Sequence, residues 1–179
     1  MNRGLSQDHF ELLGLPVTYA VDPARLESGY RELQSQVHPD RFASATEAER
    51  RVAMQWATRA NEALRTLRDP IERARYLLQL RGYDTEEETN TAMPPDFLMQ
   101  QMEWREAVEK ARASKDAAAL ESLRAELGQS CEQMLQMLGR ALDESSYDAG
   151  CSLVRKLRFI EKLEEEIDDG IEGLSGEAR

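Results

Sequence analysis

The sequence predicts an all-α protein of two domains, and three observations support this fold class. Proline and glycine are sparse, with 6 and 10 in 179 residues, and no run of alternating β-branched residues occurs. Apolar residues instead recur at spacings of three and four along most of the chain. The charge is uneven, because residues 1–80 hold 11 basic and 11 acidic residues whereas residues 81–179 hold 12 and 23. We therefore expect an N-terminal domain at 1–80, a linker at 81–95 and a C-terminal domain at 96–179.

The N-terminal domain is predicted to begin with a short helix followed by a longer one. The stretch "DHFELLGLP" favours a helix that ends at Gly14 and Pro16, because both residues oppose its continuation. Asp22 is a good N-cap and precedes a proline at the first helical position. Pro39 disfavours helical geometry at the residue before it, so the second helix should end near His38. Its apolar stripe comprises Leu26, Tyr30, Leu33 and Val37.

Two further helices are predicted to complete this domain. Thr46 and Glu49 have the spacing of a capping box, which marks the start of a long third helix. The pair Asp69-Pro70 interrupts that helix, and the proline opens a fourth through "IERARYLLQL". One face of the third helix is apolar and is expected to be buried. That face comprises Val52 with Ala53, Trp56, Ala60, Ala63 with Leu64, and Leu67.

The C-terminal domain is predicted to be an antiparallel three-helix bundle. The polar, acidic stretch "GYDTEEETNTAMPP" is typical of a linker. Helices are expected at about 97–113, 117–142 and 147–167, joined by short connections. Residues 170–179 are expected to fray, because acidic residues oppose the dipole at a helix C-terminus. The apolar stripes of the last two helices comprise Leu120, Leu123, Leu127, Cys131, Met134, Leu138 and Ala141, and Cys151, Val154, Leu157 and Ile160.

The composition argues against several classes of function. The net charge of −11 lies wholly in residues 81–179 and repels phosphate, so no nucleic acid partner is expected. Cys131 and Cys151 lack metal-ligand spacing and are expected to be buried thiols. No stretch approaches 18 apolar residues and no signal-peptide core is present, so we expect a cytoplasmic protein without a membrane partner. The acidic run "EKLEEEIDDGIE" is expected to be a solvated helix end, and no metal or cofactor is expected.

The stretch "QSQVHPDRF" places a histidine where a helical pattern stops, and three interpretations are open. His38 could act as a general base oriented by Asp40, but a base needs a substrate pocket and companions that the motifs do not supply. The tripeptide could be only a helix stop, since proline and aspartate are turn residues. The tip of a hairpin between two packed helices is also a good place to display recognition groups. The surrounding helices favour this last interpretation.

Residues 8–80 resemble the J-domain, the module by which co-chaperones stimulate the ATPase of the seventy-kilodalton heat-shock chaperones. The resemblance rests on "FELLGL", "HPDRF" and "ANEALRTLRDPIERARYLL". The family's second helix is usually basic, whereas two glutamates offset Arg25 and Arg31 here, which implies weaker steering toward an acidic chaperone surface. Arg41 stands where the family often has lysine. The chaperone-binding residues implied by the resemblance are His38, Pro39, Asp40, Arg41 and Arg31.

The remainder of the chain resembles the HscB family of J-proteins, which act in iron–sulfur cluster assembly. The segments "FLMQQMEWREAVEKA", "LRAEL" and "VRKLRFIEKLEEEI" carry this likeness, which together with the J-domain spans nearly the whole chain. In that family the C-terminal bundle binds IscU, the scaffold protein on which clusters are built, and presents it to the chaperone HscA. The zinc-binding cysteines of some eukaryotic members are absent, which favours a bacterial type.

The helix beginning at Phe97 carries apolar residues on two opposite faces. At 100° per residue, Phe97, Trp104, Val108 and Ala111 cluster on the expected core face. Leu98, Met99 and Met102 fall on the other side, where a partner, another helix or the N-terminal domain could cover them. Phe159 likewise lies off the apolar side of its helix, and burial at the domain junction is the alternative for it. The scaffold-binding residues implied by the resemblance are Leu98, Met99, Met102, Glu103, Glu106, Arg158 and Phe159.

The resemblance therefore implies an adaptor that has no catalytic site of its own. One end would hold the cluster scaffold and the other would trigger ATP hydrolysis on the chaperone. Two rival hypotheses remain open. The chain could be a J-protein that serves a different client, or a helical interaction protein whose His-Pro-Asp tripeptide is accidental.

Overall fold

The structure is a computed structural model, and it describes residues 7–42, 45–85 and 93–177. These residues form helices without any strand, so the predicted all-α class is confirmed. The chain divides into two compact units, Met1–Leu80 and Arg81–Arg179. The helices are α1 His9–Leu12, α2 Pro23–Val37, α3 Glu47–Arg68, α4 Pro70–Leu80, α5 Pro95–Ala113, α6 Ala117–Asp143 and α7 Tyr147–Glu177, with a 3-10 turn at Pro39–Phe42.

The predicted starts of the helices in the first unit are confirmed by their caps. The Asp22 carboxylate accepts a hydrogen bond from the backbone N–H of Ala24, and Pro23 occupies the first helical position of α2. Thr46 and Glu49 form the reciprocal capping box at the start of α3. These local bonds satisfy amides that the helices themselves leave without a partner, so each helix begins at a defined residue.

The core of the first unit lies between α2, α3, α4 and the segment around α1. α2 and α3 pack as a hairpin, and Leu26, Leu33 and Val37 of α2 are buried. The burial of Val52 was predicted wrongly, because its side chain is 50% exposed whereas that of Ala53 is 5% exposed. Successive residues of a helix point 100° apart, so only one of this pair can face the core. The buried residues of α3 are Ala53, Ala60, Ala63 and Leu67.

A close backbone contact joins α2 to the end of the first short helix. Gly29 of α2 lies against the backbone of Leu13, so that a Cβ at position 29 would overlap the Leu13 carbonyl oxygen and lie 3.1 Å from its carbon. Gly14, the next residue, adopts a φ of +67°, which suits glycine and ends the short helix as predicted. Glycine at position 29 therefore permits an approach that any side chain would block.

α4 fixes the N-terminal segment through an aromatic pair. The His9 and Tyr76 rings are stacked with centroids 4.3 Å apart, and the Tyr76 hydroxyl accepts a hydrogen bond from the backbone N–H of His9. His9 Nδ1 is buried without a hydrogen-bond partner. Burial consequently lowers the pKa of His9 from its ordinary value, since the charged form is disfavoured away from water.

The second unit is a three-helix bundle, and each of its two short connections contains one residue in the left-handed backbone conformation. Lys115, between α5 and α6, and Ser145, between α6 and α7, adopt φ values of 53° and 57°. The predicted burial of the α6 stripe is confirmed only in part, because Leu123, Cys131 and Met134 are half-buried against the core. The fully packed cluster comprises Phe97, Trp104, Val108, Ala111, Leu120, Leu127, Ile160, Leu163 and Ile167.

The prediction that the C-terminus frays is wrong for residues 170–177. α7 continues to Glu177, because Ile171 and Leu174 pack against the core cluster after Ile167. The Arg112 guanidinium also donates to the Glu166 carbonyl and ties α5 to this part of α7. Apolar contacts made by the far end of α7 therefore outweigh the unfavourable position of its carboxylates.

About half of the predicted linker, residues 86–92, lies outside the described residues. Its first part packs on the second unit. The ring centroids of Tyr83 and Tyr147 lie 5.0 Å apart, and the Arg155 guanidinium donates to the Thr85 carbonyl oxygen at 3.0 Å. Thr85 is buried, with 4% of its surface exposed. Residues 81–85 thus belong structurally to the bundle.

Candidate functional site

The His-Pro-Asp tripeptide lies where α2 ends and the 3-10 turn begins. His38 has a ψ of 134°, outside the helical range, and Pro39–Phe42 form the turn that leads toward α3. The side chains of His38 and Asp40 are 55% and 90% exposed. Neither side chain therefore contributes much to the core of its own unit, and both are accessible to a partner.

Two hydrogen bonds set the shape of this turn. The Arg41 backbone N–H donates to the His38 carbonyl at 3.0 Å, and the Asp40 backbone N–H donates to His38 Nδ1 at 3.3 Å. When Nδ1 accepts this bond the imidazole is neutral and carries its proton on Nε2. The Asp40 carboxylate lies 3.5 Å from Nδ1, so a protonated ring would pair with the carboxylate instead. The His38 ring is therefore bonded to the backbone of Asp40, whose carboxylate is exposed.

The two arginines predicted to bind a chaperone both make contacts within the unit. Arg31 Nε donates to the Glu27 carbonyl at 3.3 Å, one helical turn back. Arg41 donates from its guanidinium to the Ser35 carbonyl at 3.1 Å, so its side chain turns back toward α2. Arg68 pairs with Glu27, which partly neutralises the acidic residue beside Arg31. These contacts are exposed, so a partner can compete for both arginines.

A methionine patch, defined as Leu98, Met99 and Met102, lies on the solvent side of α5. The three side chains are 43%, 62% and 70% exposed, and Glu103 and Glu106 beside them are exposed too. The opposite side of the helix is buried, as the helical rotation predicted, and includes Phe97 and Trp104. The Trp104 indole N–H donates to Glu126 of α6 at 2.9 Å. The core of the second unit therefore leaves the patch uncovered.

Phe159 connects the exposed side of the bundle with its core. Its half-buried ring meets the Phe97 ring edge to face, with centroids 6.0 Å apart, in the first turn of α5 beside Leu98. The Arg105 guanidinium lies 5.3 Å from the centre of the Phe159 ring. Arg158 bonds Glu161 at 2.7 Å and is also half-buried. Phe159 therefore packs against α5 and also lies at the edge of the exposed surface of that helix.

Arg105 was not among the predicted residues, although the spacing could have indicated it. It follows Met102 by three residues and Leu98 by seven, which places it on the same side of α5. Lys156 lies 5.2 Å from the centre of the Phe97 ring and is a second cation that the pattern did not single out. The exposed side of the bundle thus combines apolar side chains with charges of both signs.

A metal-binding cluster, a disulfide or a membrane-spanning helix would each indicate another function. Residues 7–42, 45–85 and 93–177 contain no group of three histidine, cysteine or acidic residues that could hold a metal ion. Cys151 is buried as predicted, Cys131 is half-buried, and neither forms a disulfide. Among the helices of these residues, none combines the length and the apolar composition that a bilayer span requires.

Known proteins similar to this chain share both its sequence and its fold. A family model described as the HSCB C-terminal oligomerisation domain matches residues 93–168. The Co-chaperone protein HscB homolog of Burkholderia multivorans is 54% identical over 170 residues, which cover 95% of this chain and 97% of that protein. The homolog of Cupriavidus taiwanensis is 53% identical over 174 residues, covering 97% and 99%.

Two solved structures extend the comparison to the fold. The chaperone HscB from Vibrio cholerae superimposes with a TM-score of 0.82 at 38% identity, covering 94% of this chain and 99% of that one. The human co-chaperone protein HscB gives a TM-score of 0.87 at 27% identity, covering 93% and 83%. The similarity therefore includes both units and extends from bacteria to human.

Proposed function

The chain belongs to the HscB family of co-chaperones, and on this premise we propose that it binds the iron–sulfur scaffold protein IscU, delivers it to an HscA-type chaperone and stimulates that chaperone's ATPase. In this proposal residues 1–80 act as the J-domain, 81–95 as the linker and 96–179 as the scaffold-binding bundle. The first residues of the linker, 81–85, pack on that bundle. The observation that carries the proposal is that each unit exposes recognition groups that its own core does not need. These are the turn at 38–41 in the first unit and the methionine patch in the second.

The chaperone-binding end is the turn that follows α2. The carboxylate of Asp40 is 90% exposed and its backbone is held by His38, so the group is presented in a defined position. Such a carboxylate can form a charge-assisted bond with a cation of the partner, and the bond strengthens when the contact excludes water. Arg31 adds a positive charge on the same hairpin, and we propose that it steers the encounter with an acidic chaperone surface.

The scaffold-binding end is the methionine patch with its charged neighbours. Exposed apolar side chains beside one another favour a partner with an apolar surface, and methionine adapts to the shape of that surface. Glu103 and Glu106 border the patch, so we propose that the matching edge of the scaffold is basic. We propose that Phe159, whose ring meets Phe97 in the first turn of α5, completes the surface together with Arg158, which precedes it in sequence.

Joining the two ends in one chain explains why an adaptor would be effective. A scaffold protein held by the bundle is tethered to the same molecule that engages the chaperone. Its effective concentration near the chaperone then rises to about the millimolar range that short tethers provide. The proposal therefore predicts that scaffold and co-chaperone stimulate ATP hydrolysis synergistically.

The test measures the steady-state ATPase rate of an HscA-type chaperone alone, with this protein, with scaffold, and with both. The four rates are measured again with His38→Gln, which removes the imidazole from the exposed turn. Synergy that is lost in the variant is the expected result. Stimulation that does not depend on scaffold would support the J-domain function and would refute the scaffold protein as the client. The absence of any stimulation by the unmodified protein would refute the proposal.

A further inference from the structure

The C-terminal end of α2 contains a carbonyl group whose usual helical partner is missing. In an α-helix the carbonyl of residue i accepts from the N–H of residue i+4. For Ser35 that residue is Pro39, which has no backbone N–H. The next two amides are used elsewhere, because Asp40 donates to His38 Nδ1 and Arg41 donates to the His38 carbonyl.

Arg41 supplies the donor that Pro39 lacks. Its guanidinium donates to the Ser35 carbonyl at 3.1 Å, across six residues of sequence. The positive charge also lies at the C-terminus of α2, where the helix dipole favours a cation. The side chain therefore closes the turn that the proline opens. Asp40 lies between His38, which accepts bonds from the amides of Asp40 and Arg41, and Arg41, whose guanidinium is bonded back to α2.

We infer that Arg41 is a positioning residue, which holds the His38–Arg41 turn in the shape that presents Asp40 to a partner. The inference rests on the proposed function, because it concerns how the same turn engages a chaperone. It changes the role that the family resemblance implied for this residue, which was direct partner binding. The functional unit becomes four residues, in which Pro39 bends the chain and Arg41 caps the carbonyl that the bend leaves without a donor.

The competing possibility is that Arg41 leaves the Ser35 carbonyl and contacts the chaperone directly. Both possibilities predict weaker stimulation when the arginine is removed, so activity alone does not separate them. The free protein does, because a positioning residue acts before any partner arrives. If the turn loses its shape in part of the molecules, the apparent affinity falls in proportion to the fraction of molecules that keep the binding-competent turn.

The first measurement is NMR of the complete, unbound chain with Arg41→Met and a matched control, Arg31→Met. The control removes the same charge from a neighbouring exposed arginine that also donates to a helical carbonyl, that of Glu27. The backbone N–H of residue 31 is the helical donor for the Glu27 carbonyl, so that carbonyl keeps a hydrogen-bond donor when the arginine side chain is removed. We expect the Ser35 carbonyl-carbon resonance to shift and the amides of Asp40 and Arg41 to exchange faster in Arg41→Met. We expect neither change in Arg31→Met, and unchanged exchange along α3 in both.

The second measurement is chaperone ATPase stimulation as a function of co-chaperone concentration. Loss of one exposed charge-assisted bond should raise the concentration for half-maximal stimulation of Arg41→Met by about two- to fivefold, with the maximal rate retained. Arg41→Lys keeps a donor and should stay close to the unmodified protein in both measurements. An unchanged turn in Arg41→Met combined with weaker stimulation would overturn the inference in favour of direct contact. If the unmodified protein fails to stimulate while the NMR changes are seen, the proposed function fails and the cap itself stands.

Discussion

Replacing Gly29 by alanine should destabilise the first unit, although the same replacement stabilises most helices. Alanine is favoured over glycine in a helix interior by about 1 kcal/mol. At Gly29, however, the new Cβ would overlap the Leu13 carbonyl oxygen and lie 3.1 Å from its carbon. A backbone group cannot rotate away as a flexible side chain can, so α2 and the Leu13 segment must separate. Overpacking of this kind costs about 2–3 kcal/mol, which leaves a net destabilisation of about 1–2 kcal/mol.

The matched control is Gly128→Ala in α6. A Cβ there would meet only the Glu164 side chain, at 4.0 Å, so the usual helical preference should stabilise the bundle by about 1 kcal/mol. Amide hydrogen exchange measured by NMR follows each helix separately, which suits a chain of two units. For Gly29→Ala we expect protection in α2 to fall by about 5- to 30-fold, with α6 unaffected. Protection in α2 that rises as it does around Gly128 would refute the close contact.

Three further predictions concern pH, binding and the bundle. Burial lowers the pKa of His9 in the folded state, so the unfolded state takes up the proton first as the pH falls. The stability of the first unit should therefore decrease as the pH drops below about 6.5 toward the lowered pKa. His9→Gln should flatten this pH dependence of stability in urea unfolding. A slope that survives the substitution would assign it to another group. Leu98→Ala should weaken scaffold binding by about 5- to 30-fold in calorimetry while changing stability by less than about 0.5 kcal/mol. Met137 on α6 is also exposed, and Met137→Ala should leave binding unchanged. Equal losses from both variants would show that the methionine patch is not the binding surface. Ile171→Ala should destabilise the bundle by about 1–2 kcal/mol, less than a fully buried isoleucine would, and an unaltered unfolding midpoint would contradict the packing of the end of α7.

Features that depend on neighbouring residues were predictable from the sequence. The starts of α2 and α3 follow from caps within three residues of each helix, and both formed as expected. The two sides of α5 follow from rotation alone, because a helix fixes which residues share a face. Phe97 and Trp104 are accordingly buried, while Met99 and Met102 are exposed.

Features that depend on distant residues were not predictable in the same way. The end of α7 is set by how far the core extends beneath Ile171 and Leu174, which the local acidic sequence does not reveal. The helical rotation places Phe159 off the apolar side of its helix, yet its ring packs against Phe97, 62 positions earlier. The bond from Arg41 to Ser35 has no periodic signature, since it depends on a turn that only the folded hairpin defines.

The placement of the two tryptophans gives each unit its own optical reporter. Trp56 is half-buried in the first unit with the Arg59 guanidinium 5.7 Å from its ring centre, whereas Trp104 is 3% exposed and bonded to Glu126 in the second. These are the two tryptophans of the sequence, so replacing either by phenylalanine leaves a single fluorophore in the complete chain. Emission from a Trp56-only variant would then show whether a ligand bound to the bundle is sensed in the first unit, without any added dye.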